Sequence, residues 1–196
     1  GEDGATHQCC EDIALMRTIP GMVVLNPADH YEMQAAVKAA AEYVGPVYIR
    51  LGRLAVESVH NNDDYTFELG KGITLRDGQD ITVVATGLMV QEAVKAAQDL
   101  EAARVIDIHT IKPLDVDLLV KAARETGRIV TVEEHNVIGG LGEAVASCLS
   151  EICPTPVTKI GIYDQFGHSG PAVDLLKEFG LSAENIAATV KKVLSK

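Results

Sequence analysis

Long hydrophobic segments are missing from this sequence. No run of apolar residues approaches the roughly 18 that a helix needs to cross a bilayer, and no signal peptide is visible in the 196 residues. We therefore expect a cytoplasmic protein that has no membrane partner.

Positive charge is also scarce. The chain has 17 Lys and Arg residues against 28 Asp and Glu residues, which gives a formal net charge of −11. An acidic surface repels nucleic acid and anionic membranes, so this composition excludes nonspecific binding to either. A local basic pocket that binds a phosphate remains compatible with it.

Cysteine is rare, and its spacing is uninformative for metals. Cys9 and Cys10 are adjacent, and Cys148 and Cys153 stand far away in the sequence. These positions do not match the common zinc spacings. We expect free and mostly buried thiols, as in a reducing compartment.

Several familiar site motifs are absent as well. The segment 139–142 resembles a dinucleotide loop but lacks the GxGxxG spacing, so it predicts close packing at a tight turn. Ser169 is not within a GxSxG elbow and is expected to cap a helix. The run 133–135, Glu-Glu-His, has no second ligand cluster and predicts a structural or interface role, while His30 and His109 have no other candidate site residues around them. We assign no metal ligand to this chain.

Alternating strands and helices fill the rest of the chain. Apolar runs between turn residues predict strands, and apolar residues three and four apart predict helices. The predicted strands are 22–25, 47–51, 70–75, 81–87, 104–108, 129–133 and 157–162, and the predicted helices are 8–18, 30–43, 88–102, 114–125, 141–152, 171–179 and 183–195. This order is typical of a mostly parallel α/β sheet.

We expect two structural units. Residues 1–53 hold too little apolar surface for a core of their own and are interpreted as the end of a larger parallel sheet. Residues 54–68 are polar and acidic, which predicts an interdomain linker in which His60 is solvated. Residues 69–196 form the second α/β domain.

The connection near residue 100 is unusual. Helix 88–102 leads into the next strand without a Gly, Pro or Asn, although a helix that returns to a parallel sheet usually ends at a glycine. We hypothesise that loop residues are missing between Leu100 and Arg104. A chain break would support this hypothesis, and a continuous turn would contradict it.

The first eight residues combine flexible and reactive side chains. Gly1 and Gly4 permit unusual backbone angles, Asp3 is an anionic acceptor, and His7 changes charge near neutral pH. A polar loop that feeds a helix is suited to hold an anion or a reacting centre. The alternative is a simple helix cap with Thr6 as the N-cap.

Two arginines follow the predicted strand at 47–51. Arg50 and Arg53 lie at the carboxyl end of that strand, where open parallel sheets bind ligands. The planar guanidinium donates two parallel hydrogen bonds to a phosphate. The alternative is a surface ion pair with one of the many acidic residues.

Several motifs together resemble one family. GEDGATHQ is similar to the GEDGxTHQ motif in the pyrimidine-binding domain of transketolases, and to the matching motif of 1-deoxyxylulose-5-phosphate synthase. The similarity continues in order along essentially the whole chain, at IPGM (19–22), NPAD (26–29), PVYIR (46–50), VEEHN (132–136), GGLG (139–142) and FGHSG (166–170).

The resemblance implies a fold, a reaction and roles for individual residues. The fold would be the end of a thiamine-binding pyrimidine-domain parallel sheet, followed by a three-layer α/β domain like the transketolase C-terminal domain. The reaction would be reversible transfer of a two-carbon ketol unit from a ketose phosphate to an aldose phosphate, with thiamine diphosphate and Mg²⁺ as cofactors. Asp3 would orient a sugar hydroxyl, and His7 would shuttle protons beside the cofactor and the donor sugar. Arg53, with Arg50 as a weaker match, would bind the sugar phosphate.

The resemblance also implies that this chain is incomplete as an enzyme. The glutamate that activates the aminopyrimidine, and the ligands of the diphosphate and metal, would lie outside it. We therefore expect an N-terminal transketolase section as partner, a homodimer or heterotetramer as the assembly, and no cofactor binding or activity from this chain alone. Two alternatives stay open: an enzyme like 1-deoxyxylulose-5-phosphate synthase, and a non-catalytic assembly or regulatory module.

Overall fold

The computed structural model of the chain describes residues 3–61 and 65–196. A 3-10 turn at Ala5–His7 precedes the regular elements. The helices are α1 (Asp12–Thr18), α2 (His30–Glu42), α3 (Met89–Ala97), α4 (Val116–Thr126), α5 (Leu141–Ile152), α6 (Ala172–Glu178) and α7 (Ala183–Leu194). The strands are β1 (Val23–Leu25), β2 (Val47–Ile49), β3 (Ile73–Arg76), β4 (Ile81–Ala85), β5 (Ala103–Asp107), β6 (Thr110–Lys112), β7 (Ile129–Asn136) and β8 (Val157–Ile162). None of the helices within the described ranges is long and apolar enough to cross a membrane.

Five strands form the larger sheet, in the order β3-β5-β4-β7-β8. Four of them run parallel, and β3 pairs antiparallel with β5 at one edge. Every residue of β4 is buried, as expected for a strand covered by helices on both faces. Buried apolar residues of α3 and α7 belong to one hydrophobic core cluster. Those of α4 and α5 belong to a second cluster. The predicted three-layer α/β architecture is confirmed.

A smaller sheet joins the two parts of the chain. Its order is β2-β1-β6, with β1 parallel to β2 and antiparallel to β6. Strand β6 lies between β5 and α4 in the sequence, where no strand was predicted, because three residues are too short to show an alternating pattern. The β1–β6 pairing means that the first section of the chain docks on the second through backbone hydrogen bonds.

The connection after α3 is continuous, so the hypothesis of missing loop residues is wrong. Helix α3 ends at Ala97, five residues before the predicted end. The Leu100 N–H donates to the Ala97 carbonyl at 3.2 Å, and the Ala103 N–H donates to the Leu100 carbonyl at 3.3 Å. The Leu100 side chain is buried in the core, so apolar burial fixes this turn without a C-cap glycine.

The start of the chain differs from the predicted helix 8–18. The 3-10 turn is separate, and α1 begins only at Asp12. Thr6 does not cap a helix, since its hydroxyl oxygen lies 3.1 Å from His7 Nδ1 and the turn has Gly4 at its N-cap position. By contrast, Asp29 caps α2, because its carboxylate accepts the Glu32 N–H at 3.1 Å.

The buried carboxylate of Glu133 holds the start of α5. It accepts the N–H groups of Leu141 at 2.6 Å and Gly142 at 2.8 Å. A Cβ atom added at Gly140 would lie 1.9 Å from Glu133 Oε2, so this carboxylate fits only because a glycine faces it. These contacts agree with the tight-turn interpretation of residues 139–142 and with a structural role for Glu133.

The Glu133→Gln variant is expected to lose part of the pH dependence of stability. Burial raises the pKa of Glu133 from 4.5 to about 7, against the two N–H donors that favour the carboxylate. Between these pH values the folded state keeps a proton that the unfolded chain has released. The free energy of unfolding therefore falls as pH rises through this window, by up to about 3 kcal/mol.

Urea denaturation at half-unit steps from pH 4.5 to 8 measures this effect. Glu151→Gln, at an exposed position on the same helix, is the matched control and should keep the parent's profile. If the free energy of unfolding of Glu133→Gln changed with pH in the same way as that of the parent, the raised pKa of Glu133 would be disproved.

Candidate active site

A cavity of about 510 Å³ lies where the first section of the chain meets the C-terminal domain. Its wall includes Asp3, His7, Arg50 and Arg53, the four site residues predicted from the sequence. Strand β2 ends at Ile49, so both arginines follow the carboxyl end of a parallel strand, where α/β sheets place ligands. Helix α6 lines the cavity from the C-terminal domain.

The loop that carries Asp3 and His7 docks on the segment before α6. Gly4 has a φ of 83°, and a Cβ atom there would lie 2.8 Å from Ser169 Oγ. Gln8 Nε2 donates to the His168 carbonyl at 2.8 Å. The prediction that Ser169 caps a helix is therefore wrong: α6 starts at Ala172, after Pro171, and Ser169 contacts the loop instead.

The reactive side chains at the mouth of the cavity are open to solvent. Arg53 forms an ion pair with Asp3, and their side chains are 69% and 51% exposed. His7 is also exposed, and its Nδ1 lies 3.1 Å from the Thr6 hydroxyl oxygen. An imidazole, a carboxylate and a guanidinium are thus available together to a ligand in the cavity.

Arg50 is held quite differently. Its Nε and one terminal nitrogen donate to Asp12 and Glu134, at 3.1 and 3.2 Å. Its other terminal nitrogen donates to the carbonyls of Cys9 and Glu134, both at 2.9 Å. Burial opposes the charge, but Glu134 and Asp12 raise the pKa of Arg50 overall. These contacts make Arg50 a brace between β2, the N-terminal loop and β7, and its predicted contact with a phosphate stays a prediction.

Tyr48 completes this network beneath the cavity. Its hydroxyl donates to Asp12 Oδ2 at 2.8 Å. Burial, with the hydrogen bond to Asp12, raises the pKa of Tyr48 to about 12. Sequence reasoning did not find Tyr48 or Asp12 and gave Glu134 only a structural or interface role within the run 133–135, because the contact with Arg50 depends on a partner that is distant in the sequence.

The cysteines are free, as predicted, but they are not buried. Cys9 is exposed in the cavity wall, and Cys10, Cys148 and Cys153 are partly exposed. Burial raises the pKa of Cys10, and Glu11 adds to the shift. The expectation of mostly buried thiols is therefore wrong, because Cys9 and Cys10 lie on the docked loop rather than in the core.

A second polar cluster lies outside the cavity. His60 Nε2 is 2.9 Å from Asp107 Oδ2 and 3.5 Å from Glu32 Oε1. The Tyr65 hydroxyl donates to Glu32 Oε1 at 2.7 Å. Burial raises the pKa of Glu32 to about 9 and that of Asp107 to about 8. These residues come from α2, from the segment after β2 and from β5.

This cluster overturns two predictions about histidines. His60 is buried rather than solvated, with a side chain that is 5% exposed. The Asp29 carboxylate accepts the N–H groups of Val59 and His60, both at 2.8 Å, and so pulls the segment inward. His109 is not isolated either. Its ring packs on Phe67 with centroids 4.3 Å apart, and burial, with His60 nearby, lowers its pKa to about 4.

Family comparison agrees with this geometry. The family model described as "Transketolase, C-terminal domain" matches residues 70–186. That described as "Transketolase, pyrimidine binding domain" matches residues 1–58. The chain belongs to the transketolase family. The four predicted site residues lie in the part matched by the pyrimidine-binding transketolase domain, and Glu134 and α6 lie in the part matched by the C-terminal domain.

Individual transketolase-family relatives are similar along nearly the whole chain. An apulose-4-phosphate transketolase subunit from Phocaeicola vulgatus is 45% identical over 200 residues, covering 100% of this chain and 64% of that protein. A 1-deoxy-D-xylulose-5-phosphate synthase of Heliobacterium modesticaldum is 41% identical over 199 residues, covering 98% of this chain and 31% of the synthase.

A solved structure is also similar. It is described as a split gene transketolase in an inactive beta4 tetramer, with a TM-score of 0.90 and 50% identity. The match covers 97% of this chain and 63% of that one. The chain therefore spans somewhat under two thirds of the length of the transketolase subunits that it resembles.

Proposed function

We propose that this chain is the C-terminal section of a thiamine diphosphate-dependent transketolase. The reaction is the reversible transfer of a two-carbon ketol unit from a ketose phosphate to an aldose phosphate. The observation that carries the proposal is the cavity that brings Asp3, His7 and Arg53 together beside the C-terminal domain.

The chemistry of these side chains suits a sugar phosphate. Arg53 stands exposed at the mouth with its planar donors, which match phosphate oxygens. Asp3 can accept a hydrogen bond from a sugar hydroxyl and so orient it. His7 supplies an imidazole, a side chain that can donate or accept a proton, which suits the repeated proton transfers among sugar hydroxyls.

The fit to the cofactor is partial, as expected of a partial chain. Thiamine diphosphate, when bound, supplies the breaking and making of the carbon–carbon bond. Within the described residues, Asp12 and Glu134 of the cavity wall pair with Arg50, which leaves Asp3 at the exposed mouth as the one wall carboxylate open to a ligand. We therefore assign the diphosphate and its Mg²⁺ to the N-terminal section, and the sugar side of the site to this chain.

Partner assembly follows from the same division. The solved relative is described as an inactive beta4 tetramer of a split gene transketolase, which supports a chain that associates with itself but needs a second section for activity. We propose that this chain and an N-terminal transketolase section form a heterotetramer, with a homodimer as the assembly of a fused enzyme.

Reconstitution tests the proposal. The chain is mixed with the N-terminal transketolase section, thiamine diphosphate and Mg²⁺, and transfer from xylulose 5-phosphate to ribose 5-phosphate is followed. Apulose 4-phosphate belongs in the donor panel, because the relative from Phocaeicola vulgatus is named for it. Transfer supports the proposal. Absence of turnover with every sugar supports a non-catalytic module.

One alternative enzyme is favoured by a specific similarity. The synthase relative is 41% identical, so condensation of pyruvate with glyceraldehyde 3-phosphate is measured in parallel. At the strand end this chain has Leu51-Gly52-Arg53, where such synthases usually carry a proline and an aromatic residue. This difference supports transfer over condensation.

Arg53→Gln is expected to raise the KM for ribose 5-phosphate by roughly 10- to 100-fold in the reconstituted enzyme, because a lost charged hydrogen bond costs about 1.5–3 kcal/mol. The KM for unphosphorylated ribose should not change. Arg124→Gln, an exposed arginine on α4, is the control. Equal KM increases for ribose 5-phosphate and unphosphorylated ribose would show that Arg53 does not bind the phosphate.

A further inference from the structure

The buried cluster of Glu32, His60 and Asp107 lies at the seam between the two sections of the chain. None of the three lines the candidate active site. All three are buried, and one ligand atom from each lies within 4.8 Å of the others. In the described ranges, 3–61 and 65–196, it is the one group of three or more His, Cys, Asp or Glu side chains with that geometry.

This cluster has fewer hydrogen-bond donors than its acids need. Asp107 is fully buried, and its Oδ1 has no hydrogen-bond partner. Its Oδ2 has His60, while Glu32 has the Ala28 N–H, the Tyr65 hydroxyl and His60, together with a side-chain hydrogen bond to Asp107 itself. Within the described part of the chain, no lysine or arginine pairs with either acid. Two buried carboxyl groups beside a single histidine are costly as a charged pair unless a cation compensates them.

The spacing of the atoms suits a metal ion. Two ligands about 2.0–2.2 Å from one ion, at angles of about 90–110°, lie roughly 2.8–3.6 Å apart. His60 Nε2 is 2.9 Å from Asp107 Oδ2 and 3.5 Å from Glu32 Oε1. The Asp29 carboxylate accepts the His60 backbone N–H at 2.8 Å, so the ligand loop is held in place by a residue outside the ligand set.

We propose that Glu32, His60 and Asp107 bind a divalent first-row metal ion at this seam. Two carboxylates suit Mn²⁺, and one imidazole favours a transition metal over Mg²⁺ or Ca²⁺. The ion joins α2, the segment after β2 and the end of β5. It is a structural site, separate from the ion that accompanies the diphosphate.

Manganese alone is the probe, because sulfur ligands such as the four free cysteines prefer softer ions. The whole chain is stripped with EDTA, desalted, and titrated with MnCl₂ while the electron paramagnetic resonance of free Mn²⁺ is recorded. We expect one bound Mn²⁺ per chain, a nitrogen coupling from an imidazole in the spin-echo spectrum, and a higher Tm with Mn²⁺ than with equal Mg²⁺.

Variants locate the site. His60→Gln and Asp107→Asn should weaken Mn²⁺ binding by at least the roughly 10- to 100-fold that losing an outer-shell partner costs, and should remove the Tm increase. His30→Gln, an exposed histidine at the start of α2, should bind like the parent. The proposal is overturned if the parent binds no Mn²⁺ at millimolar concentration, if bound Mn²⁺ shows no nitrogen coupling, or if His60→Gln binds as tightly as the parent. The nitrogen coupling needs only the parent chain, so the test holds even if a variant fails to fold.

Discussion

Replacing His7 by asparagine is expected to lower kcat/KM of the reconstituted enzyme by about 10²- to 10⁴-fold, the range typical of a lost general acid or base. His7 lies exposed in the cavity wall, on a 3-10 turn that buries no side chain. Its Nδ1 lies against Thr6, and within the described residues Nε2 has no hydrogen-bond partner. The substitution should therefore remove proton transfer without changing the fold.

Steady-state kinetics with xylulose 5-phosphate and ribose 5-phosphate measure this loss, and urea denaturation confirms equal stability. The matched control is His30→Asn, since His30 is also exposed but lies on α2 and outside the cavity. Full activity in the His7→Asn enzyme would show that His7 is not a catalytic residue. This result would not depend on whether the transketolase reaction itself is established.

The regular elements were predictable where burial follows a simple pattern. Strand β8 and helix α5 have the predicted bounds, because uninterrupted apolar or amphipathic runs end there at clear turn residues. Strand β6 could not be predicted in this way. It exists because three residues find a pairing partner in β1, more than 80 positions earlier in the chain.

The candidate site was predictable only in its local part. Asp3 and His7 are close in the sequence, and Arg53 follows a strand end, so a motif and a strand pattern find them. The contacts that hold them are not local. Arg50 meets Glu134 across 84 positions, and Gln8 meets His168 across 160.

The error at His60 has a definite physical origin. The segment around it is polar and acidic, which is the usual composition of a solvated linker. Composition cannot reveal that Asp29 accepts two backbone N–H groups of that segment and draws it against α2. A polar segment between two domains can therefore form a buried hydrogen-bond network instead of a solvated linker.

Replacing Arg50 by methionine is expected to lower the free energy of unfolding by about 3 kcal/mol. Methionine keeps much of the side-chain volume but leaves Asp12, whose side chain is 9% exposed, without its cation. Removing one partner of a buried ion pair typically costs about 3–5 kcal/mol. The lower end applies because Tyr48 still donates to Asp12 and the Glu134 side chain is 32% exposed.

The matched control is Arg53→Met, three residues along the same strand end. Its ion pair with Asp3 is exposed on both sides, and such pairs contribute about 0–1 kcal/mol. Urea denaturation of both variants in the isolated chain measures the two losses of unfolding free energy. Equal losses would contradict the role of Arg50 as a brace. Because Arg50 also donates to the Cys9 carbonyl, directly after the loop that carries His7, the Arg50→Met enzyme should lose activity through kcat as well as stability. Arg53→Met should retain stability and raise KM for the phosphorylated sugar. That opposite pattern would distinguish Arg50, which holds the two parts of the site together, from Arg53, for which we propose binding of the substrate phosphate.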